Sequence, residues 1–273
     1  MSNGNLQPVF AAELASNVYL VKDEHTRRGF NLKYKKVFQM EESKLVTGKT
    51  GGFLVVKKPH VMAFLAKGIG EYEGQAFVAI KGTASLYDAL TDLNAGVKSS
   101  HTGFSVHQGF FYAFDSILND LRSFLSELSG VHILHCVGHS LGGALATLAA
   151  DWIKGTRAAP RVNLYTFGSP RVGLPPFARS CTSRLNQSNI FRVYHKTDPV
   201  PMVPTWPFTH VPDSDKDYLL YSPTGGVPWE YHFMEHYIES AKKSGTWGLM
   251  ERARPVKYID AVIEKWLKSD GVL

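Results

Sequence analysis

Ser140 is the hydroxyl whose neighbours invite chemistry. It sits at the centre of Gly138-His139-Ser140-Leu141-Gly142, a G-x-S-x-G that follows the apolar run Val131–Val137 and opens an alanine-rich stretch. Glycines two residues to either side let backbone segments approach closely, so a serine on a sharp strand-to-helix turn keeps its Oγ accessible. A helix beginning at Leu141 would aim its free N–H groups and positive dipole end into the same space. Acyl transfer needs both features: an accessible hydroxyl, and donors for the negative oxygen that develops on the attacked carbonyl. The plainer alternative is a glycine-rich turn with an inert serine. A strand before the turn and a helix after it favour the nucleophile.

A serine hydroxyl is a weak nucleophile without a base, and the base needs a carboxylate to orient it. In a sheet of this kind the chain order is serine, acid, histidine. Asp198 follows the buried-strand pattern Asn189–His195 and is held at its carboxyl end by Pro199. Asp213, Asp215 and Asp217 compete, but their polar stretch reads as solvent-exposed loop. Three histidines lie beyond Asp198. His210 falls in the proline-rich segment Pro199–Pro212, His232 precedes a helix-like segment, and His236 lies one turn inside it. A four-residue spacing also suits a metal pair, but Phe233 stands where the metal motif needs glutamate, so no metal site is expected.

These residues require a scaffold, and the hydrophobic pattern supplies one. Helical spacing covers Pro8–Asp23, Phe110–Ser126, Leu141–Lys154, Phe233–Lys243 and Pro255–Lys268. Continuous apolar or β-branched runs mark strands at Gln75–Ile80, Val131–Val137, Val162–Gly168, Asn189–His195 and Tyr218–Pro223, with a hairpin over Gly52–Val56 and Val61–Ala66. Strands alternating with helices predict an α/β fold with a mainly parallel sheet covered on both faces. There is no repeat and no linker long enough to divide the chain, so 1–273 reads as one domain.

Composition narrows the partners. With 273 residues, 44% hydrophobic and 20% charged, the chain reads as a soluble globular protein. No apolar run is long enough to span a bilayer, and the first residues lack a signal-peptide pattern. The expected location is therefore cytoplasmic, with a signal-less export route left open. Cys136 and Cys181 suggest neither a disulfide scaffold nor a metal cage, and leave a single bridge open. The net charge of +6 is spread in short basic clusters, without a nucleic-acid signature. It suits a solvated surface or transient contact with anionic lipid.

Five motifs in order, "FVAIKGT", "VHQGF", "GHSLGGALA", "TFGSPRVG" and "TDPVP", make the stretch from about Phe77 to Tyr237 resemble the fungal-type triacylglycerol lipases, the class 3 lipases. The resemblance implies an α/β-hydrolase fold and a serine ester hydrolase acting on lipid esters without a cofactor. Ser140 would be the nucleophile and Asp198 the acid, with Thr83 and the Leu141 backbone N–H as oxyanion donors. The family's H-x-(L/M)-x-x-Y pattern matches from His232 through Tyr237, which selects His232 over His236; His107 would be structural and His139 an elbow or packing residue. The segment 85–94 would form a lid, with Leu86 and Leu90 joining Met202, Trp206 and Phe208 around an acyl chain. Lys81 and Ala89 depart from the family's usual arginine and tryptophan. Alternatives retained are a phospholipase A1 (including an exported antibacterial effector), a feruloyl-type esterase, and a catalytically silent lipid-binding homologue.

Overall fold

Strand β3 (Gln75–Ile80) and strand β6 (Ile133–His139) are buried along their whole length and pair in parallel. Such strands have no solvent face, which explains their largely apolar sequences. The computed structural model describes residues 4–49, 59–83, 96–156, 161–212, 217–220, 228–250 and 252–253. Four further strands continue the sheet beyond β6: β7 (Arg161–Phe167), β8 (Ile190–His195), β9 (Asp217–Leu220) and β10 (Arg252–Ala253). On the other side lie β2 (His60–Lys67) and β1 (Lys44–Gly48). The order is β1-β2-β3-β6-β7-β8-β9-β10, parallel from β3 to β9 and antiparallel at both ends. A separate two-stranded ribbon joins β4 (Val97–Ser99) and β5 (Ser105–His107).

Alternate residues along each central strand feed two hydrophobic cores, one on each face. Val78, Ile80, Leu134, Cys136 and Leu164 face one core with the helices α3 (Gln108–Glu127), α4 (Leu141–Thr156) and α5 (Pro175–Leu185). Phe77, Ala79, Val137, Tyr165 and Phe167 face the other with α1 (Pro8–Asn17), α2 (Glu24–Tyr34) and α6 (Met234–Ser244). Helix α3 buries Phe110, Ala113, Phe114, Ile117, Leu118 and Leu121, a stripe at helical spacing. Helix α4 is buried at every residue from Gly142 to Ile153, which its small alanines and glycines permit. Polar helix α2 starts on a reciprocal cap, in which the Asp23 carboxylate accepts from the Thr26 N–H at 2.8 Å and the Thr26 hydroxyl accepts from the Asp23 N–H at 3.0 Å.

The predicted central strands and helices stand within a few residues of their expected places. The expected hairpin differs: β2 pairs with Lys44–Gly48 and with β3, while Gly52–Val56 lies outside the described residues. So do the expected lid 85–94 and the helix Pro255–Lys268. Asp217 corrects a second expectation. It is buried at the start of β9 and paired with Arg192 of β8 at 2.5 Å, because a buried guanidinium on the neighbouring strand needs a carboxylate partner. Asp213 and Asp215 lie outside the described residues. Cys136 and Cys181 are buried free thiols, not bridged.

Candidate active site

The register aligns four strand ends. Ile80 is level with Gly138, His139 with Phe167, and Phe167 with Val193. The residues just past these ends therefore gather at one carboxyl edge, where ligand crevices of open α/β sheets form. They are Gly82 and Thr83 after β3, Ser140 after β6, Gly168 after β7 and Asp198 after β8.

Ser140 has φ of +57°, in the left-handed region that disfavours a side chain. Its N–H donates to the Phe167 carbonyl at 3.0 Å and its own carbonyl accepts from the Gly143 N–H at 2.9 Å, so both neighbours hold it in that strained pose. Gly138 and Gly142 leave no room for a side chain. A Cβ on Gly138 would strike the Gly142 carbonyl; one on Gly142 would strike the Ile80 carbonyl and lie 2.9 Å from the Gly82 nitrogen. The first turn of α4 thus presses against the Lys81–Gly82 backbone, with the space above Gly82 only 3.1 Å from the Ser140 Cβ. Half-buried Thr83 follows directly, and Leu141 begins α4, where helix N–H groups lack helical partners.

Asp198 is fully buried. Its oxygens lie 2.9 and 3.0 Å from His232 Nδ1; Oδ2 accepts the Tyr237 hydroxyl at 2.6 Å and Oδ1 accepts the Val200 N–H at 3.0 Å. A carboxylate accepts only, so Nδ1 of His232 carries the proton and Nε2 is left as the acceptor. Burial, and next the charge on Asp198, hold the Tyr237 phenol well above its ordinary pKa, so it stays a donor. Gly168, with φ of +53°, lies over this group: a Cβ there would sit 2.6 Å from Asp198 Oδ2 and 3.1 Å from His232 Nδ1. His139 stacks obliquely on His232, with ring centroids 4.5 Å apart, which ties the serine turn to the histidine.

His236 is not part of this group. It lies in the first turn of α6 against Tyr231 and His195, with ring centroids 5.1 and 6.3 Å away. His210 donates from Nε2 to the Pro201 carbonyl at 2.7 Å. Of the expected acyl-chain residues, Met202 is half-buried, Phe208 meets the His107 ring edge-on at 5.4 Å, and Trp206 is 86% exposed. Leu86 and Leu90 lie outside the described residues. Sequence reasoning passed over Gly168, whose glycine was visible in "TFGSPRVG".

The profile of the lipase (class 3) family matches residues 77–208. The segment belongs to the class 3 lipases. Among curated relatives, secreted mono- and diacylglycerol lipase 1 of Fusarium solani is 32% identical over 148 residues, 50% of this chain and 43% of that protein. Toxin TseL of Vibrio cholerae is 30% identical over 216 residues, 76% of this chain and 32% of that protein. The chain thus spans less than half the length of these curated relatives. Lipase II from Rhizopus niveus superposes with a TM-score of 0.57 at 24% identity, covering 79% of each chain. The fold is that of the α/β-hydrolases.

Proposed function

We propose that this class 3 lipase member hydrolyses carboxylic esters of lipids. One observation carries the reading: a serine strained at +57° shares a sheet edge with a buried imidazole already oriented by a carboxylate. In this reading Oγ of Ser140 bonds to the ester carbonyl carbon while its proton passes to Nε2 of His232. Asp198 fixes the imidazole tautomer and balances the imidazolium charge. The N–H groups of Thr83 and Leu141 receive the oxyanion. As the C–O bond breaks, His232 returns the proton to the departing alcohol; water then releases the acid by the same route and restores Ser140.

The lipid class is part of the proposal. A net charge of +6 supports transient contact with anionic lipid surfaces, and with it membrane phospholipid as a second substrate reading. Ser140→Ala should abolish hydrolysis of p-nitrophenyl esters while the thermal midpoint is retained. Undiminished turnover would overturn the assignment. Absence of turnover in the wild-type chain on every ester would favour the silent lipid-binding reading. Triacylglycerols of increasing chain length, phosphatidylglycerol vesicles and a feruloyl ester, assayed side by side, separate the substrate classes.

A further inference from the structure

Tyr19 stands on the short 3-10 turn Val18–Leu20 that follows α1, far in sequence from every group in the proposed reaction. Its hydroxyl nonetheless reaches the middle of the site. It accepts the Gly82 N–H at 2.9 Å and lies 2.9 Å from His139 Nδ1. His139 Nε2 in turn lies 2.8 Å from the carbonyl oxygen of His232. The proton positions follow from the partners. A carbonyl only accepts, so Nε2 of His139 bears its proton. Nδ1 of the neutral ring is then an acceptor, and the Tyr19 hydroxyl donates to it. Gly82 N–H can only donate, and the Tyr19 oxygen receives it. The His139 carbonyl, 3.5 Å from the hydroxyl, is the longer alternative for the one phenolic proton.

Every donor in the series meets one acceptor, in one direction, from the segment after β3 to the 3-10 turn that ends on His232. Burial keeps the His139 imidazole well below its ordinary pKa, and hence neutral, as the series requires. The position of Gly82 leaves nothing slack: a Cβ there would lie 2.5 Å from the Tyr19 oxygen and 2.9 Å from the His139 carbonyl.

We infer that Tyr19 and His139 are positioning residues that hold the Gly82–Thr83 segment in fixed register with the 3-10 turn Pro228–His232 that ends on the base. The inference rests on the serine-hydrolase reading above. Neither side chain takes a proton from substrate. Each acts on groups that take part in the reaction: Tyr19 on the oxyanion segment, His139 on the peptide of the base. A shift of a fraction of an ångström between them would weaken oxyanion stabilisation without changing how substrate is held.

Tyr19→Phe keeps the ring and removes the hydroxyl. The expected result is a fall in kcat of roughly 10- to 100-fold per folded molecule, with KM within about twofold and the fold retained at a lowered thermal midpoint. His139→Gln tests the other half, and serves as the variant if Tyr19→Phe fails to fold. The double variant should be little worse than the poorer single, because either change severs the series. Histidine 15N NMR gives a readout independent of turnover: His139 should keep a neutral Nε2–H tautomer in the wild type, and its Nδ1 resonance should move in Tyr19→Phe. Full kcat in Tyr19→Phe, additive losses, or a protonated Nδ1 would each overturn the inference. Wild-type turnover that Ser140→Ala leaves intact would instead sink the serine-hydrolase reading, so the two failures are distinguishable.

Discussion

Two buried carboxylates, Asp151 and Asp198, sit on the same scaffold and are satisfied in opposite ways. Asp151 of α4 has a fixed cation: Arg184 of α5 donates to its Oδ1 at 2.6 Å, and Thr102 donates to its Oδ2 at 2.5 Å. Asp198 is surrounded by an imidazole, a phenol and a backbone N–H, and among the described residues no lysine or arginine forms an ion pair with it. Burying a charge without a cation is costly, so a purely structural role would favour the first arrangement. The second leaves negative charge to be balanced only when His232 takes up a proton. One carboxylate is neutralised for good; the other is held for a transient partner.

The contrast can be broken from either side. Asp198→Asn should keep the packing yet lower kcat by about 10⁴-fold, because the amide no longer holds the required tautomer. Steady-state kinetics on a p-nitrophenyl ester would measure it, and a tenfold loss or less would make Asp198 as structural as Asp151. Arg184→Met should do the reverse: about 3–5 kcal/mol of stability lost, since Asp151 is left buried without its cation, with kcat per folded molecule unchanged. Denaturant unfolding beside active-site titration reads both quantities. Tyr237→Phe sharpens the picture. Removing one donor to a charged acceptor is worth about 1.5–3 kcal/mol, or roughly 10- to 100-fold in kcat, with KM held.

A pH-dependent effect on stability comes from two buried histidines, His135 and His195. His135 lies inside the sheet, with Nε2 2.7 Å from Gln75 Oε1, and burial depresses its pKa to about 3. Burial likewise lowers His195 to about 4. In the unfolded chain both would titrate near 6.5. Between those values the unfolded state binds the extra protons, so stability falls as pH falls. The stability these histidines contribute is whole above about pH 6.5 and is lost progressively on the way to 4 and 3, at up to about 1.4 kcal/mol per pH unit for each. Urea unfolding at pH 7.5 and 5.0 should show the decline, and His135→Gln should flatten it. An unchanged slope in that variant would exclude His135 as a source.

How far the site could be read from sequence depended on how local its causes are. The Ser140 turn was legible because glycines two residues away permit its close backbone contacts. The accessible hydroxyl expected there was not found: the residue is buried, 3% exposed, beneath neighbours distant in sequence. Asp198 was legible because a strand end and a proline frame it. The choice between His232 and His236 was not decided by spacing, since both lie near the start of α6; only family resemblance selected His232. Asp217 was misread because polar neighbours suggest a loop, whereas its partner Arg192 comes from a strand 25 positions earlier. Helix α2 was missed because EHTRRGFNLKY has too few apolar residues to show a period. Tyr19 was invisible for a stronger reason: its contacts reach across 63 and 120 positions.

That reach bears on how the protein can be cut. The stretch that matches its family, 77–208, includes Ser140 and Asp198 but stops before His232 and Tyr237 and starts after Tyr19. A piece trimmed to the recognisable segment would keep the attacking alcohol and lose both the base and the brace that aligns it. What is most recognisable in the chain is therefore shorter than what must stay joined for the proposed chemistry to run.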